Sequence, residues 1–343
     1  MMFSTRAAGA AGLAMIAVVA LAAPVMAPYE PTEAFPDRAF APPMRVHVRD
    51  AGGWHAPFAY RQVLDLQDRT LRVYREDRTT RLPLWGRARA AGQDPILLLG
   101  GDPLGRDLFS RLLYGARISL GVTLVGACAA ILLGAILGGA AGAAGGKTDG
   151  ALMLFADFVL VLPGVYLVLV LRALLPQVLD AGQVFVLMAG LFALAGWPHV
   201  ARGVRAIVAT ERTREYADAA RAAGAGPLRL LRHLLPAARG FLAVELVLLV
   251  PALLVAEASI SFLGLGFQDN TPSWGTMLHD ASNVNGMTQA PWMLAPAAAL
   301  FVVVLCVQLV AGPRAGARAT LAGGRAPVGQ EARGRPTATT MTR

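Results

Sequence analysis

The sequence is poor in several things at once. It holds one lysine, Lys147, among 31 basic residues, and two cysteines among 343 residues. Charged residues make up only 15% and aromatics 7%, against 55% hydrophobic. Cys128 and Cys306 both sit inside apolar runs, which argues against a disulfide framework and leaves no metal-ligand spacing. So small a charged fraction excludes the usual water-facing surface of a soluble chain of this length. The formal charge of +9 would suit nucleic acid. The basic residues are scattered, however, with no aromatic platforms interleaved, so nucleic acid is not a partner on this reading. Arg in place of Lys in an Ala-rich chain needs no functional account, since biased codon usage suffices.

Signatures of covalent chemistry are missing too. There is no HExxH, no GxSxG and no Cys/His pairing. The nearest approach to a phosphate-cradling loop is AGAAGGKT at 141–148. It has Ala141 where GxxxxGK[ST] needs its first Gly, and it follows an apolar helix instead of a strand. Lys147 is better read as a charge that holds this loop in the cytoplasm.

What the chain does have is apolar runs. About 20 helical residues cross a bilayer core, and six stretches suffice: 7–27, 119–140, 151–171, 184–204, 242–262 and 292–311. The first, ending in Val25-Met26-Ala27, also fits a cleaved signal peptide; in a polytopic chain an uncleaved span is the favoured reading. Gly134, Gly138 and Gly142, at every fourth position, let a neighbouring helix approach the backbone. Gly196-Trp197-Pro198-His199 is expected to break the fourth span, neighbours satisfying the freed backbone groups. The expected fold is an all-α polytopic membrane protein with six transmembrane helices: an N-terminal helix at 1–27 and a five-helix core at 107–312. Six spans with Met1 inside place Lys147, a loop at 211–238 and the C-terminal tail in the cytoplasm. Arg318, Arg325, Arg333 and Arg335 in the tail suit that side. The tail, 313–343, has no periodic apolar face and is expected to be disordered.

Residues 28–106 form a polar interlude. Met44, Val46 and Val48 alternate with Arg45, His47 and Arg49, a strand pattern. Asp50-Ala51-Gly52-Gly53 signals a turn, and 54–60 reads as the returning strand. Leu71 and Val73 alternate with Arg72 after a turn-like 67–70. A small β-rich extracytoplasmic insertion is expected here, with a disordered loop as the rival.

The longest stretch of mixed charge within the apolar part is 215–236, EYADAARAAGAGPLRLLRHLLP. Tyr216, Ala219, Ala220 and Ala223 recur at helical spacing, while Arg214, Asp218 and Arg221 can pair on the other side. Gly224 and Gly226 stop this helix, and Pro227 can open a second at its first position. Leu228, Leu231, Leu234 and Leu235 give the second an apolar stripe, with Arg229, Arg232 and His233 off it and Pro236 ending it. The result is a helix–turn–helix elbow between two spans; an ordinary amphipathic connector is the rival. Three acids lie inside spans, Asp157, Glu245 and Glu257. Such residues are costly and functional by default, although a buried helix–helix hydrogen bond is the favoured reading of each.

The order Asp218-Ala219-Ala220-x3-Gly224, followed by Leu235-Pro236, resembles the EAA loop of ABC-importer permeases, the coupling helix that docks on the ATPase subunit. Asp218 stands where that family has Glu, and the Gly-to-Pro interval is one residue short. GDPLGRDLFSRLLYGARISL at 101–120 resembles the entrance to the second span in the dipeptide/oligopeptide branch. Within it Arg106, Asp107, Arg111 and Arg117 are spaced to pair along a helical turn, or to form a solvated pre-membrane helix. EASISFLGLGFQDNTPSWGTML at 257–278 is similar to the same branch, with Trp274 and Gly275 in its extracytoplasmic return. Asp157 ahead of Pro163 resembles the family as well.

The family implied is the dipeptide/oligopeptide-type permease of a bacterial inner membrane, C-type subunit of the pair, with both termini cytoplasmic. The resemblance implies a second permease subunit as a heterodimer partner, two ATP-binding-cassette ATPase subunits, an extracytoplasmic solute-binding protein and surrounding lipid. It implies no catalytic site and no cofactor on this chain, ATP being used by the partner subunits. Glu215, Tyr216, Asp218, Ala219, Ala220, Gly224, Leu235 and Pro236 would carry the coupling. Two other classes compete. An ion-driven secondary transporter predicts an inverted repeat, and the two halves here are unlike. A membrane-embedded enzyme needs two of Asp157, Glu245, Glu257 or the histidines to converge at membrane depth. The solute is not encoded in a wall of Ala, Leu and Val.

Overall fold

Long apolar helices dominate the computed structural model, which describes residues 2–50, 53–65, 73–83, 94–162, 179–268, 270–282 and 290–311. Helix α1 (Met2–Leu21) and the short α2 (Ala23–Met26) open the chain. A 37-residue helix, α3 (Leu108–Ala144), forms the spine. At 1.5 Å per residue it is about 55 Å long, roughly 25 Å more than a hydrocarbon core needs. It does not begin at 119. The helix is continuous from Leu108, because Asp107 caps it and its first turns are buried, Arg111 included. The stretch before the expected second span is therefore a packed part of that span's own helix, not a solvated one.

After Gly145 the chain turns back as α4 (Gly146–Val161). The rest of the expected third span, with Pro163, lies outside the described residues. Helix α5 (Ala181–Glu211) starts at a reciprocal cap between Asp180 and Gln183 and runs unbroken through Pro198. The expected break at 196–199 is absent, because Gly196, Trp197 and Pro198 are all buried and tertiary packing holds the helix against its missing hydrogen bond. Two short helices follow, α6 (Glu215–Ala222) and α7 (Pro227–Leu234), then a 3-10 turn (Leu235–Ala238) and α8 (Arg239–Phe262). Helix α9 (Trp274–Ala281), a 3-10 turn (Pro291–Leu294) and α10 (Ala295–Ala311) complete the described chain. The basic tail lies outside the described residues.

By length and composition, four segments among the described residues can cross a membrane: Leu108–Ala144, Ala181–Glu211, Arg229–Phe262 and Pro291–Ala311. The molecule is thus a multi-pass membrane protein. Its core is built where α3 meets α5. A Cβ on Gly138 would lie 2.2 Å from the carbonyl oxygen of Ala201. The two backbones can touch there only because no side chain intervenes. Val200, Val204 and Val208 of α5 continue this contact into a cluster with Ala217, Leu230 and Leu234 from α6 and α7.

Between α2 and α3 lies a three-stranded antiparallel sheet, β1 (Val46–Asp50), β2 (Gly53–Asp65) and β3 (Val73–Pro83), paired in that order. His47 pairs with Phe58 and Ala59 with Leu82, and a bulge follows Tyr60. Of the turn residues, Ala51 and Gly52 lie outside the described residues, as do 66–72. The alternation in β1 does not turn its valines inward: Val46 and Val48 are exposed, and only Met44, ahead of the strand, is buried with Ala59 and Ile96. As an edge strand, β1 packs instead through His47, whose ring lies 4.9 Å from that of Tyr60. The sheet is tied to the helices through Tyr29. Its hydroxyl accepts from the Ile96 N–H at 2.8 Å, and its N–H donates to Ser110 Oγ on α3 at 3.2 Å.

Candidate functional site

The elbow departs from α5 at Glu211, whose carboxylate pairs with Arg214 Nε at 3.1 Å and accepts from the Tyr216 hydroxyl at 2.9 Å. Arg214, extended, lets α6 begin. One residue of α6, Ala217, is fully buried, against Leu230 and Leu234 of α7. Ala220 is half-buried beside them, whereas Glu215, Tyr216, Asp218, Ala219 and Gly224 are exposed. The helix ends as Gly224 turns to φ +77°. Its N–H reaches the Arg221 carbonyl and the Ala225 N–H reaches that of Ala220, the double bond of a Schellman stop. A Cβ on Gly224 would meet nothing within 4 Å, so backbone conformation, not crowding, selects glycine there.

The apolar side of α7 is not quite the expected stripe. Leu230 and Leu234 are buried, Leu231 and Leu235 half-buried, and the side chain of Leu228 lies outside the described residues. Leu230 moves inward because Pro227 sets the start of α7 and the buried Ala217 lies opposite. Leu231 and Leu235 face Gly139 of α3, where a Cβ would come within 2.8 Å of Leu231 Cδ1. Pro236 is exposed in the 3-10 turn, and its carbonyl accepts from Arg239 Nε at 3.1 Å.

Polar bonds tie the elbow to the end of α3, and α5 to the start of α4. Asp218 pairs with Arg221, which donates to the Arg212 carbonyl at 3.2 Å; the Arg212 guanidinium in turn donates to the Ala143 carbonyl at 3.2 Å. On α5 itself, Arg205 Nε donates to Asp149 Oδ1 at 2.9 Å. The Arg205 guanidinium holds the Asp149 carboxyl below the usual carboxylate range. Sequence reasoning missed this pair and its neighbour, since Arg205 and Arg202 lie within an apolar run.

The three intramembrane acids do not come together. Asp157 pairs with Arg202 of α5, both side chains about half exposed. Glu245 is half-buried on α8 and has no hydrogen bond or ion pair among the described residues. Glu257, twelve residues along the same helix and so about 18 Å away, is fully buried. Ser261 Oγ donates to its Oε1 at 2.9 Å, and the hydroxyls of Ser119 and Ser273 face the same carboxyl group. Ser273 is also the N-cap of α9, so the start of that helix lies beside this carboxyl group. Glu257 Oε2 is buried without a hydrogen-bond partner among the described residues, and the three acids form no converging pair.

A second cluster was half legible. Arg106 and Arg111 do not pair with Asp107 as the spacing predicted. Arg106 Nε meets Asp102 Oδ2 at 2.5 Å, and both guanidinium groups reach Asp280 of α9 at 3.2 Å. Arg111 Nη1 also faces Asp102 at 3.3 Å, and Arg117 is exposed. Asp280 lies 169 residues from Arg111, beyond the reach of any local pattern. Asp107 instead caps α3, accepting from the Ser110 N–H at 2.9 Å and from its hydroxyl at 2.6 Å. Burial pushes its carboxyl up to about 6, against the pull of those bonds.

Residues 130–312, which hold the elbow and helices α5 to α10, match the family model of the binding-protein-dependent transport system inner membrane component. The chain belongs to this family. It is 37% identical over 196 residues to the oligopeptide transport system permease protein OppC of Bacillus subtilis (strain 168), covering 57% of this chain and 62% of that protein. It is 38% identical over 224 residues to the nickel transport system permease protein NikC of Escherichia coli (strain K12), covering 65% and 78%. With the di/tripeptide transport system permease protein DppC of Pseudomonas aeruginosa (strain UCBPP-PA14) it shares 36% identity over 221 residues, 64% of this chain and 70% of the relative. The match thus spans just under two thirds of the oligopeptide protein and more of the other two.

Proposed function

We propose that the chain is one transmembrane subunit of an ATP-driven, binding-protein-dependent importer for peptides or similar small solutes. On this reading it crosses a bacterial inner membrane six times with both termini cytoplasmic, and residues 28–106 form an extracytoplasmic insertion. Residues 107–312 are the transport core and 313–343 a cytoplasmic tail. A second permease subunit completes the pathway and two ATPase subunits use the ATP. An extracytoplasmic binding protein delivers the solute, and this chain contributes no catalytic group or cofactor.

The observation that carries the proposal is the elbow. Its outer face is made of small and polar residues, Asp218, Ala219 and Gly224, all exposed, while Ala217 and Leu234 anchor its inner face to α5. A partner could approach that face closely, and a push on it would reach α3 through Arg221, Arg212 and Ala143. Peptide and nickel transport systems both occur among the relatives; peptides are the reading favoured by the oligopeptide and di/tripeptide matches.

The test uses the complete transporter reconstituted in vesicles. Ala219→Trp is the cleaner bulky change, because Ala220 packs partly inward. Gly224→Asp adds a charge and opposes the positive φ by about 1 kcal/mol. Both variants should insert in normal amount and lose solute-stimulated ATP hydrolysis and uptake together. Uptake at the wild-type rate in both would reduce 215–236 to a connector and remove the basis of the proposal.

A further inference from the structure

Helices α1 and α10 touch closely near Cys306 and leave a cleft further along. A Cβ on Gly12 would lie 2.6 Å from Cys306 Sγ, and one on Gly9 2.7 Å from the Cys306 carbonyl oxygen. Towards the other end the two helices enclose, with α3 and α9, an apolar cleft of about 400 Å³. Leu113, Ala116, Trp274 and Val303, all buried, form its floor, and the exposed Met15 and Val302 stand at its rim. The lining stretches 15–19, 112–116 and 295–303 are described without a gap. The last of them lies within Pro291–Ala311, one of the four segments able to cross a membrane. The cleft is therefore at the depth of the hydrocarbon.

Its walls decide what can fill it. A buried water needs about three polar partners. The one side-chain nitrogen or oxygen among the lining residues, Trp274 Nε1, already donates to the Leu112 carbonyl at 3.2 Å. A neighbouring helix is too thick, since at about 10–12 Å across two turns of it occupy roughly 1,000 Å³. Membrane helices also meet where small residues let their backbones approach, whereas here the small Ala116 lies on the floor and the larger Met15 and Val302 stand outside it. Left empty, the cleft would strip its walls of dispersion contacts. Its rim runs on into Val18 and Leu21 of α1 and Phe301 and Leu305 of α10, all exposed. Neither 7–21 nor 295–311 holds a charged residue, so the mouth opens on the hydrocarbon of the bilayer.

We propose that this cleft is a binding site for one acyl chain of a membrane phospholipid. A hydrocarbon chain is narrow enough to enter, and it meets no polar atom that it must desolvate. Once seated it packs on Leu113 of α3 and on Trp274, the residue that opens α9, and becomes a fixed part of the fold. The inference needs only a multi-pass membrane protein and stands apart from the importer reading.

The experiment uses the full chain, assembled with its partner subunits in vesicles of phosphatidylethanolamine and phosphatidylglycerol. A trace of phospholipid with a diazirine in one acyl chain is added and activated by light, and the labelled residues are located by mass spectrometry. Leu113, Ala116 and Trp274 should be labelled within about fivefold of the exposed Phe301. They should also exceed Val200, equally buried on α5, by about tenfold. Ala299→Phe, at a half-buried position of the wall, plugs the cleft. It should lower the label at Leu113 and Trp274 by about fivefold or more and leave Phe301 unchanged; Ala295→Leu is a second, smaller plug in case the first variant does not assemble. Floor residues labelled no more than Val200 overturn the proposal, whether the cleft is closed or taken by a partner subunit. Label that persists on the floor of the plugged protein overturns it too, because the chain then arrives by another route.

Discussion

Replacing Gly138 by alanine adds one carbon and two hydrogens, yet it should be among the most damaging single changes in the chain. The new Cβ would lie 2.2 Å from the Ala201 carbonyl oxygen, 2.7 Å from its Cα and 2.8 Å from its carbonyl carbon. Carbon atoms in contact settle at about 3.5–4.0 Å, so α3 and α5 must part by roughly 1 Å. No flexible side chain can yield instead, because all three obstacles are backbone. A gap of that size forfeits a quarter to a half of each neighbouring contact, and overpacking of this kind costs about 1–3 kcal/mol. Taking the upper end, at about 2–4 °C per kcal/mol for chains of this order, the melting temperature of the purified protein should fall by about 6–12 °C. The control is Gly190→Ala on α5, where a Cβ meets nothing within 4 Å. That change should be neutral or stabilising by up to about 1 kcal/mol, from helix propensity alone. Thermal unfolding in detergent, followed by thiol-reactive dye or by loss of the monodisperse peak, reads both. A Gly138→Ala protein as stable as wild type would mean that α3 and α5 do not meet backbone to backbone.

Three further outcomes follow from particular side chains. The folded-state carboxyl of Asp107 is raised from 3.8 to about 6, so the folded protein holds this proton more tightly than the unfolded chain. Its stabilising contribution is complete at low pH and lost as pH rises through about 6. Asp107→Asn, which keeps the cap, should flatten the decline in melting temperature between about pH 4 and pH 6, the interval between the unfolded and folded values; an unchanged slope would count against it. Asp280→Ala strips one carboxylate from buried Arg106 and Arg111 and should cost on the order of 3 kcal/mol, seen as a lower melting temperature; no loss would mean the cluster is solvated. Single cysteines at Ser4, Thr79 and Thr337 should react with an impermeant thiol reagent on whole cells only at Thr79, and labelling at either other position would break the proposed topology.

The helix–turn–helix of the elbow was legible because its breaks are local, but the face it buries was not, since Ala217 turns inward in place of Tyr216, Ala219 and Ala223. Gly224, Pro227 and Pro236 act through their own dihedral angles, which neighbours along the chain suffice to reveal. The glycines of α3 were legible for a related reason, since a four-residue spacing lines them up whatever the partner. What escaped was set by sequence separation or by packing. Nothing near Arg111 points to Asp280, and Arg202 beside Asp157 is seen only once α4 and α5 are antiparallel neighbours. Pro198 was read as a break from its intrinsic cost, yet buried neighbours outweigh that cost. In β1 the alternation was real, but period alone does not say which face finds a partner, and the exposed Val46 and Val48 mark the uncovered one.

Those local and distant features meet on α3. One end of this helix is fixed by Asp107 and by the charges that bind it to α9, and its apolar middle is pressed against α5 at Gly138. Its other end receives Leu231 and Leu235 of α7 at Gly139 and the Arg212 guanidinium at Ala143. An α-helix bonded at every turn resists compression, so a displacement imposed at the elbow is not absorbed along 37 residues. It must appear at the far end, where Ser119 and Arg111 hold the start and finish of α9. The connection between α8 and α9 lies there, with Gly264 at φ +75° and an exposed Asn270. Rigid transmission by α3 thus predicts that a bulky residue at Ala219, besides lowering uptake, alters the reactivity of a cysteine placed at Asn270. A cysteine at Asn270 that reacts equally with and without the Ala219→Trp change, while uptake is lost, would show that the two ends of the helix are not coupled in this way.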